Sequence, residues 1–309
     1  MFAREFRGEA VGINKKELIS ETDSMEYFNL VKPKYTFKDI VLNPSIQEQL
    51  EDFLAFYSNR SLLFGEWGLQ KRYNDRKNLC LNLYGESGTG KTMVAHAIAD
   101  SLGKKLLQVN YADIESKYVG ETSKNLQKLF YFGREKEAII LFDEADALLS
   151  RRVTDMRNAT DVSVNQTRSV LLTLLDNYNN IVIFTTNFIS NYDTAFMRRI
   201  QYHIRFLLPT LEQRVGLWKF YLEIDLPNRV NVMDMAEKYE GVTGADIATA
   251  VFQATVSTAR KKGSLLIQSD LEKAIEKIIE SKQENTAPIK IAKREVSEEY
   301  VKEQLGGKM

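Results

Sequence analysis

Residues 79–92 read LCLNLYGESGTGKT, and this stretch decides the fold. Residues 79–85 form a near-continuous apolar run, the pattern of a strand covered on both faces in a parallel sheet. Residues 85–92, Gly85-Glu86-Ser87-Gly88-Thr89-Gly90-Lys91-Thr92, fit G-x-x-x-x-G-K-[ST]. The glycines let backbone N–H groups converge on phosphate oxygens without side-chain obstruction. The helix that opens at Lys91, Thr92 and Met93 adds the positive end of its dipole. Lys91 would neutralise β- and γ-phosphate charge, and the Thr92 hydroxyl would ligate magnesium. At average glycine usage such a match arises by chance on the order of once in a hundred chains of this size. Its position between a strand and a helix sets it apart from an incidental glycine-rich turn.

Working outward, LLQVN (106–110), AIILFDE (138–144), IVIFTTN (181–187) and YHIRFLL (202–208) repeat the apolar pattern. Thr92 to Leu102, Glu121 to Glu135 and Val164 to Tyr178 have helical spacing between them. The expected fold is therefore α/β, with a parallel sheet sandwiched by helices. After Pro209 the residues 210–222, 231–240, 244–262 and 268–281 read as helices with no intervening strand. The chain then divides into an arm (1–35), a strand-rich domain (36–208), an all-helical lid (209–281) and a charged tail (282–309).

The strand 138–142 delivers Asp143 and Glu144 at its C-terminal end, at the rim of the sheet beside the phosphate loop. Asp143 would hold magnesium, through water, and Glu144 would polarise the attacking water. An acidic helix cap is the alternative for the run Asp143 to Asp146.

The chain has 309 residues, with 42 Lys+Arg against 42 Asp+Glu. Zero net charge argues against a surface built wholly to grip nucleic acid or anionic lipid. The single cysteine, Cys80, excludes an internal disulfide framework or a Cys-rich zinc site and fits a reducing compartment. Apolar runs such as 138–142 fall far short of the roughly 18–20 residues that span a bilayer. The opening MFAREFRGEA has no apolar signal core. These observations point to a cytoplasmic protein without membrane contact.

Taken in order, the motifs resemble those of the AAA+ ATPases, within them the AAA group of protein-remodelling motors, over roughly residues 36 to 281. The resemblance implies ATP and magnesium as ligands and a homo-hexameric ring. It implies that Asn187, ending IVIFTTN, positions the lytic water, and that Arg198 and Arg199 project into a neighbouring subunit's ATP site. A guanidinium there stabilises the transferring phosphoryl group; a solvated pair of helix-end cations is the other reading. Gln201 stands where the family has an acidic residue, and Glu86 and Ser87 where it often has two prolines. Gly244 and Ala245, with Asp246, resemble the second sensor region beside ribose and adenine. Arg214, Leu217 and Tyr221 match a helix bordering the base, with Asp39, Ile40 and Val41 on its other side. Leu217 and Tyr221 serve equally well as ordinary core residues.

Lys117-Tyr118-Val119-Gly120 resembles the family's pore loop, in which Tyr118 of each subunit grips extended polypeptide in an axial channel. A polar loop near Thr154 to Thr160 would sit below it. The implied function is an ATP-driven protein remodeller or unfoldase. The size of the core resembles compact bacterial remodellers of HORMA-domain signalling proteins in antiviral defence, with an adaptor as a second route to substrate choice. The alternatives are a nucleic-acid or clamp-loader-type motor, against which the charge balance weighs, and a nucleotide-switched scaffold. With only His96 and His203, no H-E-x-x-H protease site exists.

Overall fold

The computed structural model describes residues 28–73, 79–110, 121–150, 159–187 and 192–286. Five parallel strands form the centre: β2 (Leu79–Gly85), β3 (Leu106–Asn110), β4 (Ile139–Asp143), β5 (Ile181–Thr186) and β6 (Tyr202–Phe206). The sheet order is β1-β3-β4-β5-β2-β6, in which β1 (Asn29–Val31) pairs antiparallel with β3 at the edge. These three residues fall within the stretch read from the sequence as an arm. They are too few, and too mixed in character, to give a strand signal.

Successive residues on each strand feed opposite cores, as the two-residue pleat requires. Cys80, Ile140, Phe142, Val182 and Phe184 face one side, where they meet α3 (Glu121–Glu135) and α5 (Ala159–Asp176). Leu79, Leu81, Leu83, Leu141 and Ile183 face the other. There they pack on α1 (Pro44–Ser58) and α2 (Lys91–Ser101). Phe142 and Phe184 stack across β4 and β5 with centroids 5.3 Å apart. α1 was not anticipated as an element, although Asn43 caps it and Pro44 fills its first turn. Two short helices, α4 (Asp146–Leu149) and α6 (Thr194–Met197), follow β4 and β5.

The C-terminal part comprises α7 (Leu211–Leu222), α8 (Val232–Lys238), α9 (Gly244–Arg260) and α10 (Gln268–Thr286). They enclose a third core around the fully buried Trp218, with Met235, Ile247, Leu271 and Ile275. Capping boxes start α7 (Thr210 with Gln213) and α9 (Thr243 with Asp246). The expectation of no strand here needs correction: β7 (Asn228–Arg229) pairs in parallel with β8 (Leu266–Ile267). Two-residue strands bury too little to leave a periodic trace. No helix among the described residues is long and apolar enough to cross a membrane.

Candidate functional site

The sheet order sets the ends of β4, β5 and β2 side by side. Asp143, Asn187 and the phosphate loop therefore converge although they are far apart in sequence. A cavity of about 390 Å³ lies there, lined by Ser87 to Met93, Asp143, Glu144 and Asn187, and by Ile40, Val41, Leu217, Tyr221, Gly244 and Ala245.

The loop's geometry explains its glycines. Gly85, Gly88 and Gly90 have φ of 141°, 78° and 95°, backbone that L side chains rarely adopt. A Cβ on Gly85 would sit 2.0 Å from Phe206 O, and one on Gly88 would sit 2.7 Å from Thr243 Oγ1. Gly85 and Glu86 lie beside the cavity lining rather than in it. Their carbonyls each accept a hydrogen bond from Lys91 Nζ at 2.8 Å. The same ammonium donates to Asn187 Oδ1 at 3.2 Å. Burial pulls the Lys91 ammonium below its ordinary pKa, and Asp146, Asp143, Glu144 and Glu86 oppose that fall. A desolvated cation ringed by carboxylates and carbonyls is prepared for an anion carrying several charges.

Asp143 is the polar centre of the rim. Its Oδ1 accepts from Thr92 Oγ1 at 2.9 Å and from Thr185 Oγ1, and its Oδ2 accepts from Gln108 Nε2 at 3.3 Å. A hydroxyl and a carboxylate, both hard oxygen donors, thus stand in contact at the loop. Among the described residues no group of three His, Cys, Asp or Glu could hold a metal by itself. That pattern suits magnesium, which keeps several waters and takes one or two protein oxygens plus phosphate. Glu144 is exposed, with φ of 53°, and its N–H donates to Thr185 Oγ1 at 3.1 Å. This left-handed turn aims the carboxylate out of the strand line, a strained geometry of the kind found at functional positions. Asn187 is fixed from behind, its N–H donating to both carboxylate oxygens of Asp146 at 3.1 and 3.2 Å.

The helical C-terminal part meets the phosphate loop directly at the cavity, where Ala245 N–H donates to Gly88 O at 3.2 Å. α7 lies against Val41, whose Cγ1 would be 3.2 Å from a Cβ on Gly216. Ile40, Val41, Leu217 and Tyr221 line this apolar side of the cavity. Arg214 is not part of it: buried, it donates to Ala236 O at 2.8 Å and Pro209 O at 2.9 Å and joins α7 to α8. Asp246 also turns away from the cavity lining and caps Thr243, with Lys282 Nζ donating to it at 2.6 Å.

The two arginines differ. Arg199 is held by a two-pronged ion pair with Asp176, at 2.8 and 2.7 Å, which raises its pKa further. Arg198 is exposed, and no hydrogen bond or ion pair among the described residues holds its guanidinium. Neither lines this chain's own cavity. Lys117, Tyr118, Val119 and Gly120 lie outside the described residues, as do residues 154–158 of the second loop.

Sequence reasoning missed Gln108 and Thr185, which hold Asp143, and Asp146, which holds Asn187. The available signal was polarity inside apolar strands, Gln108 in LLQVN and Thr185 in IVIFTTN.

Residues 81–208 match the model of the ATPase family associated with various cellular activities (AAA). Cell division protein C of Sulfolobus acidocaldarius is 33% identical over 240 residues, covering 74% of this chain and 61% of that protein. A 26S proteasome regulatory subunit 8 homolog of Saccharomyces cerevisiae is 33% identical over 215 residues, covering 67% and 53%. A proteasome-activating nucleotidase of Archaeoglobus fulgidus is 30% identical over 266 residues, covering 84% and 64%. The chain thus spans between about half and two thirds of the length of these curated relatives.

Proposed function

Residues 81–208 form an AAA ATPase domain, and on that premise we propose that the protein hydrolyses ATP and couples the cycle to unfolding or remodelling another protein. The observation that carries this reading is the convergence of Lys91, Thr92, Asp143, Glu144 and Asn187 on one cavity whose far wall is the lid. The proteasome-activating nucleotidase and proteasome regulatory relatives support the same reading. Backbone N–H groups of Ser87 to Thr92 cradle the phosphates, and Lys91 transfers its contacts from loop carbonyls to phosphate oxygens. Thr92, and Asp143 through water, would hold magnesium, which would supply neutralisation of phosphate charge. Glu144 orients a water for in-line attack, and Asn187 holds that water and the terminal phosphate in register with Lys91.

Arg198 completes the site of a second copy, so the working form is a ring, a homo-hexamer as the family resemblance implies. In it the Tyr118 loops draw protein through the axis. A HORMA-domain signalling protein in bacterial antiviral defence is the substrate that the family resemblance supplies, delivered directly or by an adaptor. The arrangement works in the cytoplasm with no membrane contact.

Glu144→Gln tests the reaction. The variant should bind ATP at parental affinity while turnover falls roughly 10²–10³-fold, and with ATP present it should retain a protein substrate through purification. Parental turnover in that variant would overturn the assignment. Tyr118→Ala should hydrolyse ATP and fail to remodel. DNA-stimulated turnover that falls steeply with salt would favour a nucleic-acid motor instead.

A further inference from the structure

Below the rim of the sheet, a group of polar side chains is buried where the apolar pattern of the strands calls for hydrophobic residues. Asn82 on β2 is fully buried and Thr186 on β5 is 1% exposed. Tyr192, at the start of the segment leading to the arginines, is 6% exposed. Tyr192 OH donates to Thr186 Oγ1, and Thr186 Oγ1 donates to Asn82 Oδ1 at 3.3 Å. The Asn82 side chain also interacts with the Tyr192 hydroxyl, and His203 is its register neighbour on β6. Burying such groups costs stability that a run of Leu and Ile would not. The chain therefore keeps them for something other than packing.

Thr186 precedes Asn187, whose Oδ1 accepts from Lys91, and Asn82 lies three residues before Gly85. Thr186 and Asn82 thus lie on the two strands, β5 and β2, that terminate in the nucleotide cavity. Tyr192 connects them to the other machinery. Its backbone bridges Ser150, the next residue donates to Leu149 O at 2.9 Å, and Asp193 caps α6, at whose end Arg198 stands. The far side of that segment is clamped by Arg199 and Asp176. Arg198 therefore sits on a short element tied at one end by Tyr192 to the Asn187 strand.

We propose that Tyr192 is a positioning residue, which fixes the segment carrying Arg198 to the strand end that contacts Lys91, so that the arginine offered to a second copy moves with this chain's own nucleotide site. The inference rests on the reading of Arg198 as a residue that acts on a neighbouring copy. Ring packing of Tyr192 is structural; the hydroxyl is the coupling group.

The test is Tyr192→Phe, which keeps the ring and removes the hydroxyl. Turnover should fall roughly ten- to hundredfold, the scale of a group displaced by about 1 Å, while affinity for ATP and the thermal midpoint stay near parental. The deciding measurement mixes variants. Glu144→Gln subunits cannot hydrolyse but carry an intact arginine segment, so mixing them with Tyr192→Phe subunits should raise turnover per Tyr192→Phe site at least severalfold. Arg198→Ala mixed with Glu144→Gln is the control. If that control shows no recovery, the reading of Arg198 fails and the inference falls with it. If the control recovers and the Tyr192→Phe mixture does not, Arg198 acts in trans and Tyr192 serves only its own site, which overturns the inference alone. Parental turnover in Tyr192→Phe would overturn it as well.

Discussion

Gly88→Ala probes the contact between lid and phosphate loop. Gly88 has φ of 78°, a left-handed conformation that costs an alanine roughly 1–2 kcal/mol. That strain is present with or without nucleotide, so it lowers stability, by about 2–8 °C in thermal midpoint for a domain of this size. The added Cβ also meets the lid, at 2.7 Å from Thr243 Oγ1 and 3.0 Å from Ala245 Cβ. Restoring ordinary contact moves the start of α9 by roughly 0.7 Å, the gap between 2.7 Å and the 3.4 Å at which such contact begins. The Ala245-to-Gly88 hydrogen bond, already 3.2 Å, does not survive that shift. Loss of it and of the adjoining lid contacts amounts to about 1–2 kcal/mol, or five- to thirtyfold in affinity for ATP.

Titration with a fluorescent ATP analogue, alongside thermal melts, separates the two effects. Gly88→Ala/Thr243→Ala sharpens the result, because removing Oγ1 relieves the closer of the two contacts, leaving Ala245 Cβ at 3.0 Å, while costing the α9 cap about 1 kcal/mol. If the collision is the cause, the double variant binds ATP better than the two single losses predict together, by about 1 kcal/mol of coupling. Additive losses, or a Gly88→Ala protein with parental affinity, would refute the argument that the lid closes on this loop.

Further outcomes follow from single residues. Arg199→Ala and Asp176→Ala should have matching, small effects, about threefold or less in turnover and no more than about 1 kcal/mol in stability, because the pair is 30% and 46% exposed. Arg198→Ala should instead lower turnover by roughly 10²-fold or more, and an Arg199→Ala protein as impaired as Arg198→Ala would show that both arginines act on phosphate. Burial pushes the Cys80 thiol up to about 12 from an ordinary 9.0, so iodoacetamide at pH 8 should label it only after denaturation. Since the folded state then holds a proton that the unfolded state gives up, stability should decline as pH rises above about 9, and labelling of the native protein at the rate of a free thiol would contradict this burial.

The central strands and most helices were legible for a reason that lies in each segment alone. A strand buried on both faces needs no alternation, so five apolar runs of similar length stand out against amphipathic helices. The grouping of residues at strand ends was legible likewise, because Gly85 to Thr92 and Asp143-Glu144 are contiguous. What could not be read depends on register between segments. β1, β7 and β8 are two or three residues long and gain their hydrogen bonds from partners elsewhere in the chain. The difference between Arg198 and Arg199 is set by Asp176, 23 residues away, and Arg214 looked like a base contact until α8 supplied its acceptor.

Polar interruptions of the apolar runs carry the part of the site that motifs leave out. Asn82, Gln108, Thr185 and Thr186 sit on three different strands, Thr185 and Thr186 at the C-terminal end of β5 beside the cavity, Asn82 and Gln108 at mid-strand. A hydrophobic residue at any of them would satisfy the core without strain. Instead Gln108 and Thr185 orient Asp143, and Thr186 and Asn82 receive Tyr192. These side chains cross from strand to strand in the direction perpendicular to the backbone, so a displacement at one strand end is felt at the next through hydrogen bonds rather than through loose packing. An ATPase that must report phosphate occupancy from β2 to β4 and β5 needs such lateral ties, and the strength of each is open to measurement by double-variant cycles. Asn82→Leu should therefore raise the thermal midpoint while lowering turnover. A variant that gained stability and kept its turnover would assign Asn82 to the fold alone.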